Sequence, residues 1–398
     1  MSSTLFRLMR SITLKLHNIS ITRVLRNSSK NTCDEGNKTK NNKNLSVVLR
    51  KANEIKLEER PVPVPNDNQV LLQMEVVGIC GYDVHYWLKS KVGPFTLKNP
   101  IVLGHESSGS ILKCGSNVKS LKPGDRVAIE PGVPCRTCEF CKTGRYHLCP
   151  FIAFCATPPV DGNLCRFFCI DADFCHRLPD HVSLEEGALC EPLAVGIHAN
   201  KLARIKLGSV CLVQGSGPVG LCTGVVAKAF GASKVLITDI DDHRLKVAKE
   251  IGAADYVLNT CKMEEMEVAV KILEILNEEP HATFECAGTL VCARMGLHVT
   301  RAGGFVVLLG IGAKEMTLPF SASLVKEITI IGSFRYANDY PDAVELLRAR
   351  KVNIEPIGTH HFKLEDSVKA FEAYRDKKGC PIKILIHCNP KWKPKNKC

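Results

Sequence analysis

From Val210 the chain alternates short apolar runs with longer segments of helical periodicity. Val210-Cys-Leu-Val-Gln214 is a β-branched and aliphatic run, an uncharged segment extends to Phe230, and Lys234-Val-Leu-Ile-Thr-Asp239 is a second strand. The same pattern predicts helix 241–251, strand 255–258, helix 263–276, strand 282–285, helix 291–300 and strands 305–309 and 328–332. Six strands with helices between them predict one doubly wound parallel sheet, hence an α/β fold.

Upstream the pattern changes. Residues 46–49 and 69–77 read as strands on either side of a Pro61-Val-Pro-Val-Pro65 break, without helix-length periodicity. This predicts a mostly β domain over 45–193, the dinucleotide-type domain inserted at 194–335, and a return to the first domain over 336–398. The returning part is expected to carry helices at 339–350 and 362–377.

The first α/β unit has its own chemistry. Gly215, Gly217 and Gly220 stand in G-x-G-x-x-G spacing between a strand and a helix. The first glycine allows a tight turn, the second lets a pyrophosphate approach the backbone, and the third lets helix and strand pack closely. Asp239 closes the next strand, where a carboxylate accepts from a ribose hydroxyl and repels a 2′-phosphate, so NAD is expected rather than NADP. Residues 209–227 carry no charge and could be mistaken for a membrane span, but four glycines, Pro218 and Gln214 argue against that.

A formal charge of +12 over 398 residues suggests a nucleic-acid partner only until it is divided. Residues 1–44 account for +7 and the remaining 354 for +5, with no long basic block. Residues 1–33 contain six Lys/Arg and no acid, which resembles a mitochondrial presequence, and the Asn/Lys-rich stretch 34–44 reads as a linker. A tail without an address is the other reading.

Twenty cysteines in a chain of this size fit a reducing compartment and metal ligation better than a disulfide framework. Cys135, Cys138, Cys141 and Cys149 have the spacing of a closed tetrathiolate zinc site, structural because no ligand position is free. Further upstream Cys80, His105 and an adjacent acid, Glu106, offer a soft, a borderline and a hard ligand, a mixture suited to a zinc with one open position. Asp83 can orient the His105 imidazole.

Cys80-Gly-x-Asp83, Gly104-His-Glu106, the four-cysteine lobe and the central nucleotide fold together resemble the medium-chain zinc dehydrogenases. Asp83-Val-His-Tyr-Trp87, Phe154-Cys-Ala-Thr-Pro-Pro159, Asp161-Gly-Asn-Leu-Cys-Arg166, Glu191-Pro-Leu193 and Phe334-Arg-Tyr336 are similar to the polyol-oxidising members of that family. The resemblance runs from about Leu45 to His387. It implies a GroES-like catalytic domain around an inserted Rossmann domain, two zincs per chain, NAD, and oxidation of sorbitol, xylitol or L-iditol to the ketose. It also implies Cys80, His105, Glu106 and Glu191 at the catalytic zinc, with the choice between Glu106 and Glu191 as ligand left open.

By the same resemblance Gly215, Gly217, Pro218, Val219, Gly220, Asp239 and Arg244 hold the cofactor. Tyr86, Phe95, Phe154, Thr157, Arg335 and Tyr336 line the substrate. A homotetramer is implied, cytoplasmic by family or mitochondrial if the leader is a presequence, with no nucleic acid or membrane partner. The chain departs from the family at Tyr82, where a serine or threonine is usual and hands the substrate proton toward solvent. A threonine or butanediol dehydrogenase, a catalytically silent NAD-binding protein and a nucleic-acid zinc ribbon are the alternative readings.

Overall fold

The computed structural model describes residues 43–312 and 315–394. The leader and most of the expected linker lie outside the described residues. Lys43 and Asn44 do not belong to a linker: they begin strand Lys43–Lys51, where the Asn44 amide donates to the Phe167 carbonyl at 2.9 Å.

The first sheet is organised on Gln69–Gly78. This strand alternates half-buried and buried positions and pairs antiparallel with Glu106–Cys114, Phe167–Asp171 and Lys383–His387. Arg126–Ile129 and Cys175–Arg177 extend the sheet on one side and Gly358–Lys363 on the other. The end of the chain thus returns to the beginning. Two expectations are corrected here. Helix Gly81–Lys89 interrupts the β region, and residues 362–363 belong to a strand, with the following helix confined to Ser367–Arg375. Strand Lys383–His387, wholly buried, was not anticipated at all.

The second sheet is parallel, in the order Tyr256–Asn259, Lys234–Asp239, Val210–Gln214, Ala282–Glu285, Phe305–Leu308, Thr329–Gly332. Strand order reverses between Val210–Gln214 and Ala282–Glu285, so a crevice opens at their carboxyl ends. Helices cover the faces, which is why Val210–Gln214 is fully buried and apolar up to its last residue, Gln214. This is the mixed α/β architecture expected. Helix Phe320–Lys326, between the last two strands, was not foreseen.

Helix Cys190–Leu202 crosses helix Pro218–Ala229 closely, because a Cβ at Gly196 would stand 2.9 Å from the Cys222 carbonyl carbon. The uncharged window 209–227 is strand, turn and helix. Among the described residues no helix is long and apolar enough to cross a membrane.

Candidate active site

Three donors converge where the first sheet meets helix Gly81–Lys89. Cys80 is the residue before that helix, His105 follows a left-handed Gly104 with φ +90°, and Glu106 begins strand Glu106–Cys114. One ligand atom from each lies within 4.8 Å of the other two. Buried Asp83 ties them together. It accepts from the Cys80 and Gly104 amides at 3.2 Å each, and its Oδ1 stands 3.7 Å from His105 Nδ1.

The donor set fits a zinc ion. Burial pushes the Cys80 thiol above its ordinary value, so a thiolate at this depth needs a cation beside it. The Glu106 carboxylate is 2% exposed and already faces the Lys383 ammonium at 2.7 Å, an ion pair that joins residues 277 positions apart. Sequence reading missed Lys383. The available signal was a lysine inside the apolar run Ile382-Lys-Ile-Leu-Ile386, since a buried ammonium requires a partner.

Glu191, in helix Cys190–Leu202, stands outside the three-donor group. Its Oε1 accepts from the Tyr336 hydroxyl at 2.9 Å, and burial pushes its carboxyl up to about 7. Tyr82 is in the first turn of helix Gly81–Lys89, and burial together with the Cys80 thiolate raises its phenol well above the usual range. The phenol is therefore neutral.

Arg335 lies with its guanidinium 3.7 Å from the centre of the Phe154 ring, and that ring is 5.8 Å from the His105 imidazole. Arg335 and Asn338 both adopt left-handed backbone, at φ +56° and +61°, a conformation that surrounding contacts must impose on side-chain-bearing residues. Those contacts come from the cysteine lobe and from helix Cys190–Leu202. The Asn338 amide donates to the Tyr146 hydroxyl at 2.9 Å, the Asn338 side chain donates to the Gly144 carbonyl at 3.1 Å, and Asp339 is held by His198 and Lys201 at 3.0 and 2.7 Å.

Of the other expected substrate residues, Tyr86 is buried in helix Gly81–Lys89, with its phenol pushed up to about 12 by burial. Phe95 packs against the core of the first sheet. The Thr157 amide closes a turn onto the Phe154 carbonyl at 3.1 Å.

The sulfurs of Cys135, Cys138, Cys141 and Cys149 form the second group within 4.8 Å. Cys138 and Cys141 sulfurs are 3.4 Å apart, too far for a disulfide. Amides of Cys138, Cys135 and Phe151 point at the sulfurs of Cys135 and Cys149 at 3.4 Å, hydrogen bonds suited to thiolates. Four clustered sulfurs, two of them accepting amide hydrogen bonds, fit a tetrahedral zinc.

At the crevice, Gly215 has φ +98°, a Cβ on Gly220 would fall 1.8 Å from the Gly215 carbonyl oxygen, and Gly217 faces open space. Helix Pro218–Ala229 begins directly after it, so its free amides point where a pyrophosphate would lie. Val219 lies in the first turn of that helix. Asp239 is fixed by four donors. Its Oδ2 takes the Ser216 amide and hydroxyl at 2.6 and 2.8 Å, and its Oδ1 the Ile240 and Asp241 amides at 2.7 and 3.0 Å. Arg244 stands nearby, 3.9 Å from Asp241.

Known families match both halves. Residues 66–180 match the model described as alcohol dehydrogenase GroES-like domain, and residues 218–349 match zinc-binding dehydrogenase. The chain is similar to sorbitol dehydrogenases from Gallus gallus and Homo sapiens, each 50% identical over 347 residues. That span is 87% of this chain and 97% and 96% of theirs. Among solved structures, an Escherichia coli oxidoreductase/dehydrogenase of unknown specificity superposes with a TM-score of 0.82. It is 34% identical and spans 87% of this chain and 99% of its own. The chain belongs to the zinc-dependent medium-chain dehydrogenases, with the sorbitol dehydrogenases as its relatives.

Proposed function

We propose that this protein oxidises a secondary hydroxyl of a sugar alcohol, sorbitol, xylitol or L-iditol, to the ketone and passes the hydride to NAD. The observation that carries the reading is the convergence of Cys80, His105 and Glu106 in a chain that also builds a glycine-turn crevice. Zinc, when bound, supplies a Lewis acid that favours loss of the hydroxyl proton, and NAD supplies the hydride acceptor.

The chain's own residues do the rest. Cys80, His105 and Glu106 hold the ion, Asp83 orients them, and Glu191 exchanges protons with bound water beside the site, its carboxyl poised near neutrality. Tyr82 takes the place of the relay hydroxyl, and its bulk reshapes the pocket rather than silencing it. Arg335 presents a planar fork to several hydroxyls, with Tyr86, Tyr336, Phe95, Phe154 and Thr157 around the polyol. Gly215, Gly217, Pro218, Val219 and Gly220 seat the pyrophosphate, and Asp239 with Arg244 the adenosine ribose. Cys135, Cys138, Cys141 and Cys149 hold a second, structural zinc.

We take the catalytic domain as residues 45–193 with 336–398 and the NAD domain as 194–335, assembled as a homotetramer. The compartment is the cytoplasm, or the mitochondrion if residues 1–33 act as a presequence. NADH formation on addition of each polyol tests the activity. His105→Ala should retain one zinc per chain and lose turnover; retention of turnover would refute the assignment.

A further inference from the structure

Lys383 is a buried cation for which polyol oxidation, as described above, has no use. It opens strand Lys383–His387 with its side chain 4% exposed. Its Nζ lies 2.7 Å from each Glu106 carboxylate oxygen and 3.1 Å from the Ile79 carbonyl, one residue before Cys80. On the other side, Gly78 pairs with Glu106 across the sheet, and a Cβ there would stand 2.3 Å from Glu106 Oε2. The carboxylate is confined between a glycine and an ammonium.

Contact of one ammonium with both oxygens has a consequence for ligation. Its charge-assisted hydrogen bond occupies a lone pair of Glu106 Oε1, Oε2 is left without a hydrogen-bond partner, and the positive charge opposes a second cation a few ångströms away. Taking Cys80, His105 and Glu106 as the zinc ligands, we propose that Lys383 is a positioning residue that competes with the ion for the Glu106 carboxylate. The Lys383 charge thereby weakens the hold of Glu106 on the ion and sets the affinity of the three-donor site. A residue needed only to complete the buried ion pair would act in the opposite sense, since its loss would loosen the site.

The test is zinc retention by the full-length protein under competition from a chelating dye, which needs no turnover. The four-cysteine ion serves as an internal reference. Lys383→Met is expected to tighten zinc at the three-donor site about tenfold, the usual scale for a group that touches a ligand rather than the ion. It should also lower kcat for polyol, and Lys383→Arg should restore both values. In a Glu106→Gln background, which removes the carboxylate charge, Lys383→Met should tighten zinc by a clearly smaller factor, since only the direct repulsion between ammonium and ion is then relieved. Weaker retention in Lys383→Met, or an equal effect in both backgrounds, overturns the proposal. Zinc retention that behaves as expected in a protein without polyol turnover would leave Lys383's role standing and refute the substrate reading instead.

Discussion

Tyr82 brings a bulky phenol beside Cys80, where the family resemblance implies a small hydroxyl, and its burial keeps it protonated. Tyr82→Ser should change the ratio of kcat/KM between sorbitol and xylitol by about tenfold, the scale of one reshaped pocket contact, with zinc content unchanged. A gain in sorbitol oxidation on the order of a hundredfold or more, the size of a recovered proton relay, would show instead that Tyr82 blocks the site. Asp339 makes a prediction about pH. Burial opposes its charge, but hydrogen bonds from His198 and Lys201 outweigh that and hold its carboxyl below the usual value. The folded value lies below the unfolded one, so the stabilisation is present above about pH 4 and is lost as pH falls through the folded value. The stability difference between wild type and Asp339→Asn, from urea unfolding, should therefore be large at pH 6 and shrink towards pH 3. A constant difference would contradict this. Single residues were legible where the backbone dictates them: Gly215 and Gly220 had to be glycines for a turn this tight. Lys383 was not, because nothing local in the sequence pairs positions 106 and 383.

Elements were legible in proportion to their periodicity. The parallel strands stand out because the central ones, buried on both faces, are largely apolar, and all six lie within a few residues of their expected places although the edge strands Tyr256–Asn259 and Thr329–Gly332 are only partly buried. Helix Gly81–Lys89 was hidden because it is short and begins on Cys80 and Gly81 rather than on a customary cap. Strand Gly358–Lys363 was hidden because its half-exposed His-rich sequence lacks a clean alternation, and the helix pattern that follows absorbed its end. At this scale the glycine turn can be broken without touching the metal donors. Gly220→Ala should raise KM for NAD by at least about tenfold, roughly 1.4 kcal/mol of lost binding, while zinc content stays at the wild-type level. An unchanged KM for NAD would mean that the crevice does not hold the pyrophosphate.

For the molecule as a whole, the two halves of the fold depend on contacts far apart in sequence. Lys383–His387 closes the first sheet against Gln69–Gly78, and the Arg335 loop rests on the cysteine lobe. That architecture predicts a division of labour between two ions. Cys138→Ser should lose one zinc per chain and lower the thermal midpoint by several degrees, about 1–3 kcal/mol for a domain-sized lobe, while the three-donor site keeps its ion. Loss of both zincs would contradict separate sites. The central claim is that zinc held by Cys80, His105 and Glu106 faces a bound NAD and acts on a polyol. The most direct measurement is NADH formation from sorbitol, xylitol and L-iditol by zinc-replete protein, followed through removal and return of the metal. Turnover that disappears with zinc and returns with it is the predicted result. No polyol-dependent NADH formation by zinc-replete protein would contradict the claim.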